Sequence, residues 1–74
     1  MYELTDTQKK IMNLFRSNKQ LSIKKIAEQL GLDSRTIERN IKKLKEYDLL
    51  IRYGSSNGGY WEVKEYEKND KNND

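Results

Sequence analysis

Apolar residues fall into short groups separated by polar stretches, and each group has its own period. Between Thr5 and Ser17, Ile11, Met12, Leu14 and Phe15 recur at helical spacing and predict one buried stripe. Thr5 suits the cap position, Gln8 follows three residues later as in a capping box, and Glu3 and Asp6 suit the positive helix end. A first helix is therefore predicted to begin near Thr5 or Asp6. The pattern fades at Ser17-Asn18-Lys19, and Gln20-Leu21 predict a very short strand or an extended link.

Ser22 caps a second predicted helix, IKKIAEQL, whose Ile23, Ile26, Ala27 and Leu30 lie at i, i+3, i+4 and i+7. Gly31 is expected to stop it in the left-handed conformation. Asp33 caps a third helix running to about Glu46. There Ile37, Ile41 and Leu44 make a thin apolar seam, with Arg35, Arg39, Lys42 and Glu46 on the opposite side. Leu49–Tyr53 and Tyr60–Val63 predict two strands joined by the Gly-rich loop Gly54–Gly59, which is a β-hairpin. Trp61 and Val63 should share one face of it, Tyr60 and Glu62 the other. From residue 64 the chain is almost wholly polar, so we expect a folded domain over 1–63 and a disordered polar tail over 64–74.

The junction between the second and third helices carries the functional signal. Ala27 and Gly31 are four apart and Ile37 follows six later. A small residue lets the third helix cross close to the second, the glycine permits the tight turn, and the β-branched residue locks the third helix onto the body. This is the helix-turn-helix arrangement, whose second helix enters the DNA major groove. With the hairpin behind it, the expected fold is mainly α with a small β-hairpin: a winged helix-turn-helix, a three-helix bundle plus wing.

Residues 27–63, and above all SRTIERNIKKLKE, GS and GGYW, resemble the C-terminal winged-helix modules of bacterial and archaeal transcriptional regulators. In those proteins the module often follows an AlbA/Schlafen-type ATP-binding, helicase-like domain. The chain is also similar to the broader MarR-like and DeoR-like winged helices, and the resemblance implies sequence-specific DNA binding. Two departures stand out. Asp48 occupies the position after the third helix where that family usually has Gly. The wing residues Ser55, Ser56 and Asn57 carry no charge, so a wing contact would rest on hydroxyls, an amide, backbone N–H groups and Arg52.

Charge sharpens the picture. Residues 1–61 hold 12 Lys/Arg against 7 Asp/Glu, and residues 62–74 hold 3 against 5. A basic body suits a polyanion. The expected partner is double-stranded DNA. Ser34, Arg35, Thr36 and Arg39 are placed to meet base edges. Ser22, Lys24, Lys25, Lys42 and Lys43 are placed to meet phosphates, and Arg52, Asn57 and Tyr60 to serve the wing. Asn40 should lie near the core edge.

Other functions have little to stand on. There is no Cys and no His, hence no thiolate or imidazole ligand and no histidine base. The Gly-rich segment lies between strands rather than before a helix, so it is no phosphate loop. We expect no enzyme, no cofactor, no metal and no membrane span, and a cytoplasmic location. The competing reading is a protein-interaction module that does not bind DNA. Those of Tyr2, Tyr47, Tyr53, Tyr60, Trp61 and Tyr66 left outside the core would mark its surface, and a homodimer fits either reading.

Overall fold

The computed structural model describes residues 3–55 and 58–64. Asn57, Tyr2 and the predicted tail from residue 65 onward lie outside the described residues. Three helices come first: α1 (Asp6–Ser17), α2 (Ile23–Leu30) and α3 (Ser34–Glu46). Two antiparallel strands follow, β1 (Leu50–Tyr53) and β2 (Tyr60–Val63), with Leu50 opposite Val63 and Tyr53 opposite Tyr60.

Side-chain caps set the helix starts. Thr5 Oγ1 accepts the Gln8 N–H at 3.1 Å, and Gln8 Oε1 accepts the Thr5 N–H at 3.0 Å, which completes the capping box. Ser22 Oγ accepts the Lys25 N–H at 3.1 Å, and Asp33 Oδ1 accepts the Thr36 N–H at 2.8 Å. Each such cap contributes about 1 kcal/mol. Gly31 closes α2 at φ 68°, the left-handed conformation expected of a glycine helix stop.

The end of α3 has the same left-handed stop and six-to-one backbone bond as α2, where the Leu32 N–H reaches the Ala27 carbonyl, but without a glycine. Leu49 N–H reaches back to the Leu44 carbonyl and Asp48 N–H to that of Lys45, both at 3.0 Å, which is the Schellman pattern. Asp48 supplies its left-handed residue at φ 61°. Because Leu49 is tied into this turn, β1 begins at Leu50, one residue later than the apolar run suggests.

Ile11, Met12 and Phe15 from α1, Ile26 and Ala27 from α2, and Ile37, Ile41 and Leu44 from α3 form one core with Leu49, Leu50 and Trp61. Leu14, expected inside, is half-buried. The hairpin is pinned by Trp61, whose ring centroid lies 5.1 Å from that of Phe15 at an interplanar angle of 31°. Its backbone N–H donates to the Lys19 carbonyl at 2.9 Å. At Gln20 the structure differs from the expected strand or extended link: Lys19 and Gln20 form a turn, closed by the Leu21 N–H to the Asn18 carbonyl at 3.2 Å, and the Lys19 carbonyl ties that turn to β2.

Candidate nucleic-acid interface

Ile37, Ile41 and Leu44 are buried and fix the roll of α3 about its axis. At about 100° per residue, Arg35, Arg39, Lys42 and Glu46 then fall within roughly 60° of arc on the far side. All four are exposed, as are Ser34, Glu38, Lys43 and Lys45. Among the described residues no neighbouring element covers the two arginines. Thr36 is half-buried at the edge of this face.

Asp33 stands at the head of the same helix. The hydrogen bonds from Thr36 hold its carboxyl below the ordinary carboxylate range, and the nearby Arg39 and Arg35 charges push it the same way. The start of α3 thus carries one fixed carboxylate and two extended cations.

A second cationic element is the start of α2. Lys24 and Lys25 are exposed beside the Ser22 cap. The first-turn amides of a helix lack intrahelical acceptors and attract anions. An open cleft of about 690 Å³ separates Ser22 and Ile23 from Gly54, Gly58 and Gly59 at the base of the wing. Arg52 borders this cleft. Its Nη2 donates to the Ser55 carbonyl at 2.6 Å and its guanidinium carbon lies 5.2 Å from the centre of the Trp61 ring. Lys45 Nζ lies 5.9 Å from that centre. Arg52 is therefore oriented by the wing and by the core. Tyr60 lies on the outer face of the hairpin, and Asn57 lies outside the described residues.

The sequence pattern brings Ser34, Arg35, Arg39, Lys42 and Lys43 onto one helix, with Ser22, Lys24 and Lys25 at the head of another. It does not show what positions them. Gln8 is 4 % exposed, and its Nε2 donates to Asn40 Oδ1 at 3.3 Å, while Asn40 Nδ2 donates to the Thr36 carbonyl at 2.9 Å. The available signal was positional: Gln8 precedes Ile11, Met12 and Phe15 on their own stripe. A polar residue inside an apolar stripe calls for a buried partner.

Among the described residues no helix is long and apolar enough to cross a membrane, and no group of three or more acidic side chains could hold a metal ion. Comparison with curated proteins and with solved structures returned no match. A family model described as winged helix-turn-helix DNA-binding matches residues 4–51, which covers all three helices and the start of β1. The hairpin beyond that match supplies the wing, and the chain belongs to the winged helix-turn-helix DNA-binding family.

Proposed function

We propose that this domain binds duplex DNA and acts in transcription regulation, with the first two turns of α3 in the major groove. Ser34, Arg35, Thr36 and Arg39 meet base edges, Arg39 and Arg35 by bidentate bonds to guanine worth about 1–3 kcal/mol each. Lys42 and Lys43 meet phosphates further along the groove. Ser22, Lys24 and Lys25 at the head of α2 take phosphates of the adjoining backbone, where helix amides add to the lysine charge. The wing Gly54–Gly59 lies near the backbone, with Arg52 and Asn57 beside it and Tyr60 at its outer edge.

One observation carries this reading: Arg35 and Arg39 project uncovered from a helix whose opposite side is clamped by Ile37, Ile41 and Leu44. A helix held that firmly presents its cations in a fixed frame, which direct readout requires. A single module offers few base contacts, so two copies on paired half-sites would raise specificity. The resemblance over residues 27–63 supports a further step, that the domain serves as the DNA-binding end of a larger regulator with an ATP-binding partner domain in the cytoplasm.

Titration of duplex DNA at several salt concentrations tests the assignment. Arg39→Ala should weaken binding and relax base preference. Lys24→Ala should weaken every sequence alike and flatten the slope of log K against log salt by about 0.9. If neither substitution changes affinity, or if the protein forms a stable dimer that ignores DNA, the face assignment is wrong and an interaction module replaces it.

A further inference from the structure

The side of the hairpin turned away from the helices carries Ile51, Tyr53, Tyr60 and Glu62. Tyr53 and Tyr60 are cross-strand partners, with ring centroids 5.3 Å apart and planes inclined by 24°. They are 40 % and 43 % exposed, while Phe15 and Trp61 are buried on the other side of the sheet. The Tyr53 hydroxyl donates to Glu62 Oε1 at 2.9 Å, which fixes its ring against that of Tyr60. The pair is therefore a preorganised stacked surface that packing of the fold does not consume.

Tyr60 also forms one wall of a groove of about 560 Å³. The other wall is the end of α1 and its turn toward α2: Arg16, Ser17, Asn18, Lys19 and Gln20. The Trp61 N–H bond to the Lys19 carbonyl holds the two walls in register. Lys19 is exposed, and Arg16 lies against Asn13, to whose Oδ1 it donates at 2.6 Å.

We propose that this outer face is a second nucleic-acid site, specific for an unpaired strand. One base stacks on the Tyr60 ring, and the adjoining phosphate is taken by Lys19 in the field of Arg16. A sequence-tolerant single-strand site needs an exposed aromatic platform with a cationic flank, and both are present here. Duplex DNA does not fit, because its bases hide their faces inside the stack. Charge favours a polyanion over a protein surface: Arg16 and Lys19 line the groove, whereas Glu62, among the described residues the one carboxylate on this face of the hairpin, lies outside the groove lining and is held toward Tyr53. A second copy of the chain is disfavoured by size. Two half-covered tyrosines beside Ile51 offer far less than the roughly 800 Å² per partner of a stable interface. The inference does not rest on the duplex reading, which uses α2, α3 and the wing and shares only Tyr60 with this face, so Lys19→Gln is the variant that separates the two.

The test is anisotropy of a labelled dT12 oligonucleotide with the full chain at low salt, run beside a labelled duplex. Tyr60→Leu should weaken dT12 binding about 5- to 150-fold, the range given by one lost base stack. Tyr60→Phe, which keeps the ring, should restore it. Lys19→Gln should weaken dT12 binding and flatten its salt slope by about 0.7. Arg39→Ala should leave dT12 binding unchanged while weakening the duplex. Absence of dT12 binding overturns the inference. So does equal binding by Tyr60→Leu and Lys19→Gln, or loss in Arg39→Ala, which would put the strand on α3. Sedimentation showing a dimer that Tyr60→Leu dissociates would assign the face to self-association instead. Because duplex affinity is read separately, failure here leaves the duplex assignment standing, and the converse holds.

Discussion

Gln8 of α1 and Asn40 of α3, 32 residues apart, meet side chain to side chain at 3.3 Å where α1 packs on α3. Both amides are also tied to backbone: Gln8 Oε1 takes the Thr5 N–H, and Asn40 Nδ2 gives to the Thr36 carbonyl. A continuous path of hydrogen bonds therefore runs from the cap of α1 to the first turn of the proposed reading helix.

Removing either amide leaves the other without its partner. Gln8→Ala and Asn40→Ala should each cost about 1–3 kcal/mol by urea denaturation, the cost of a polar group left unsatisfied. In the double variant the losses should not add, with a coupling of about 0.5–3 kcal/mol. Asn40→Ala should also reduce discrimination between DNA sequences, since it cuts the side-chain tie from Gln8 of α1 to the first turn of α3. Simple additivity would show that the two amides act independently.

The helix boundaries were legible because capping is local. Thr5 with Gln8, Ser22, Gly31 and Asp33 each act within four residues, and the structure uses every one of them. The seam of Ile37, Ile41 and Leu44 likewise fixed which side of α3 faces out. What stayed hidden depends on contacts between distant segments. Nothing near Asn40 in the chain announces Gln8, and nothing near Lys19 announces the Trp61 N–H. Arg52 looked like a plain wing cation, because its place over Trp61 follows from strand register and not from composition.

The stop of α3 carries a removable cost. Asp48 sits at φ 61°, where a side chain is strained and glycine is not. Its N–H bond to the Lys45 carbonyl is a backbone contact that glycine would keep. Asp48→Gly should therefore stabilise the domain by about 0.5–1 kcal/mol, raising Tm by roughly 2–8 °C for a chain of this size. A lowered Tm in a calorimetric scan would mean that the aspartate side chain contributes more than its strain costs.

Acid should weaken the start of α3 in a predictable window. The hydrogen bonds from Thr36 are the largest influence keeping the Asp33 carboxyl below its ordinary value, with Arg39 and Arg35 helping. A carboxylate with a depressed folded pKa stabilises the fold above its unfolded pKa of about 3.9, and that contribution disappears as pH falls through the lower folded value. The cap is thus intact at neutral pH and fails only below about pH 4. Asn caps as well as Asp but does not titrate. Asp33→Asn should accordingly show a shallower fall in stability between pH 5 and pH 2. Parallel curves for the two proteins would place the acid sensitivity elsewhere.

The wing closes on a glycine that no other residue can replace without movement. A Cβ on Gly59 would stand 2.6 Å from the Tyr53 carbonyl oxygen and 2.6 Å from Arg52 Nη2, and nearer still to the Ser55 carbonyl oxygen. The arginine end could swing away, but two backbone oxygens could not, so the loop itself must open. Opening separates Arg52 from the Ser55 carbonyl and loosens its hold over Trp61, about 0.5–1 kcal/mol of cation–π attraction at a partly exposed site. Gly59→Ala should therefore destabilise the domain by about 1–3 kcal/mol, the usual cost of overpacking. The disturbance should centre on the hairpin: Trp61 emission should shift and the amides of β1 and β2 should exchange faster, while those of α1 and α3 keep their protection. Arg52→Gln should reproduce the Trp61 change without the steric cost. If Gly59→Ala leaves Trp61 emission and strand exchange as in the parent protein, the wing relaxes freely and its shape is not set by this contact.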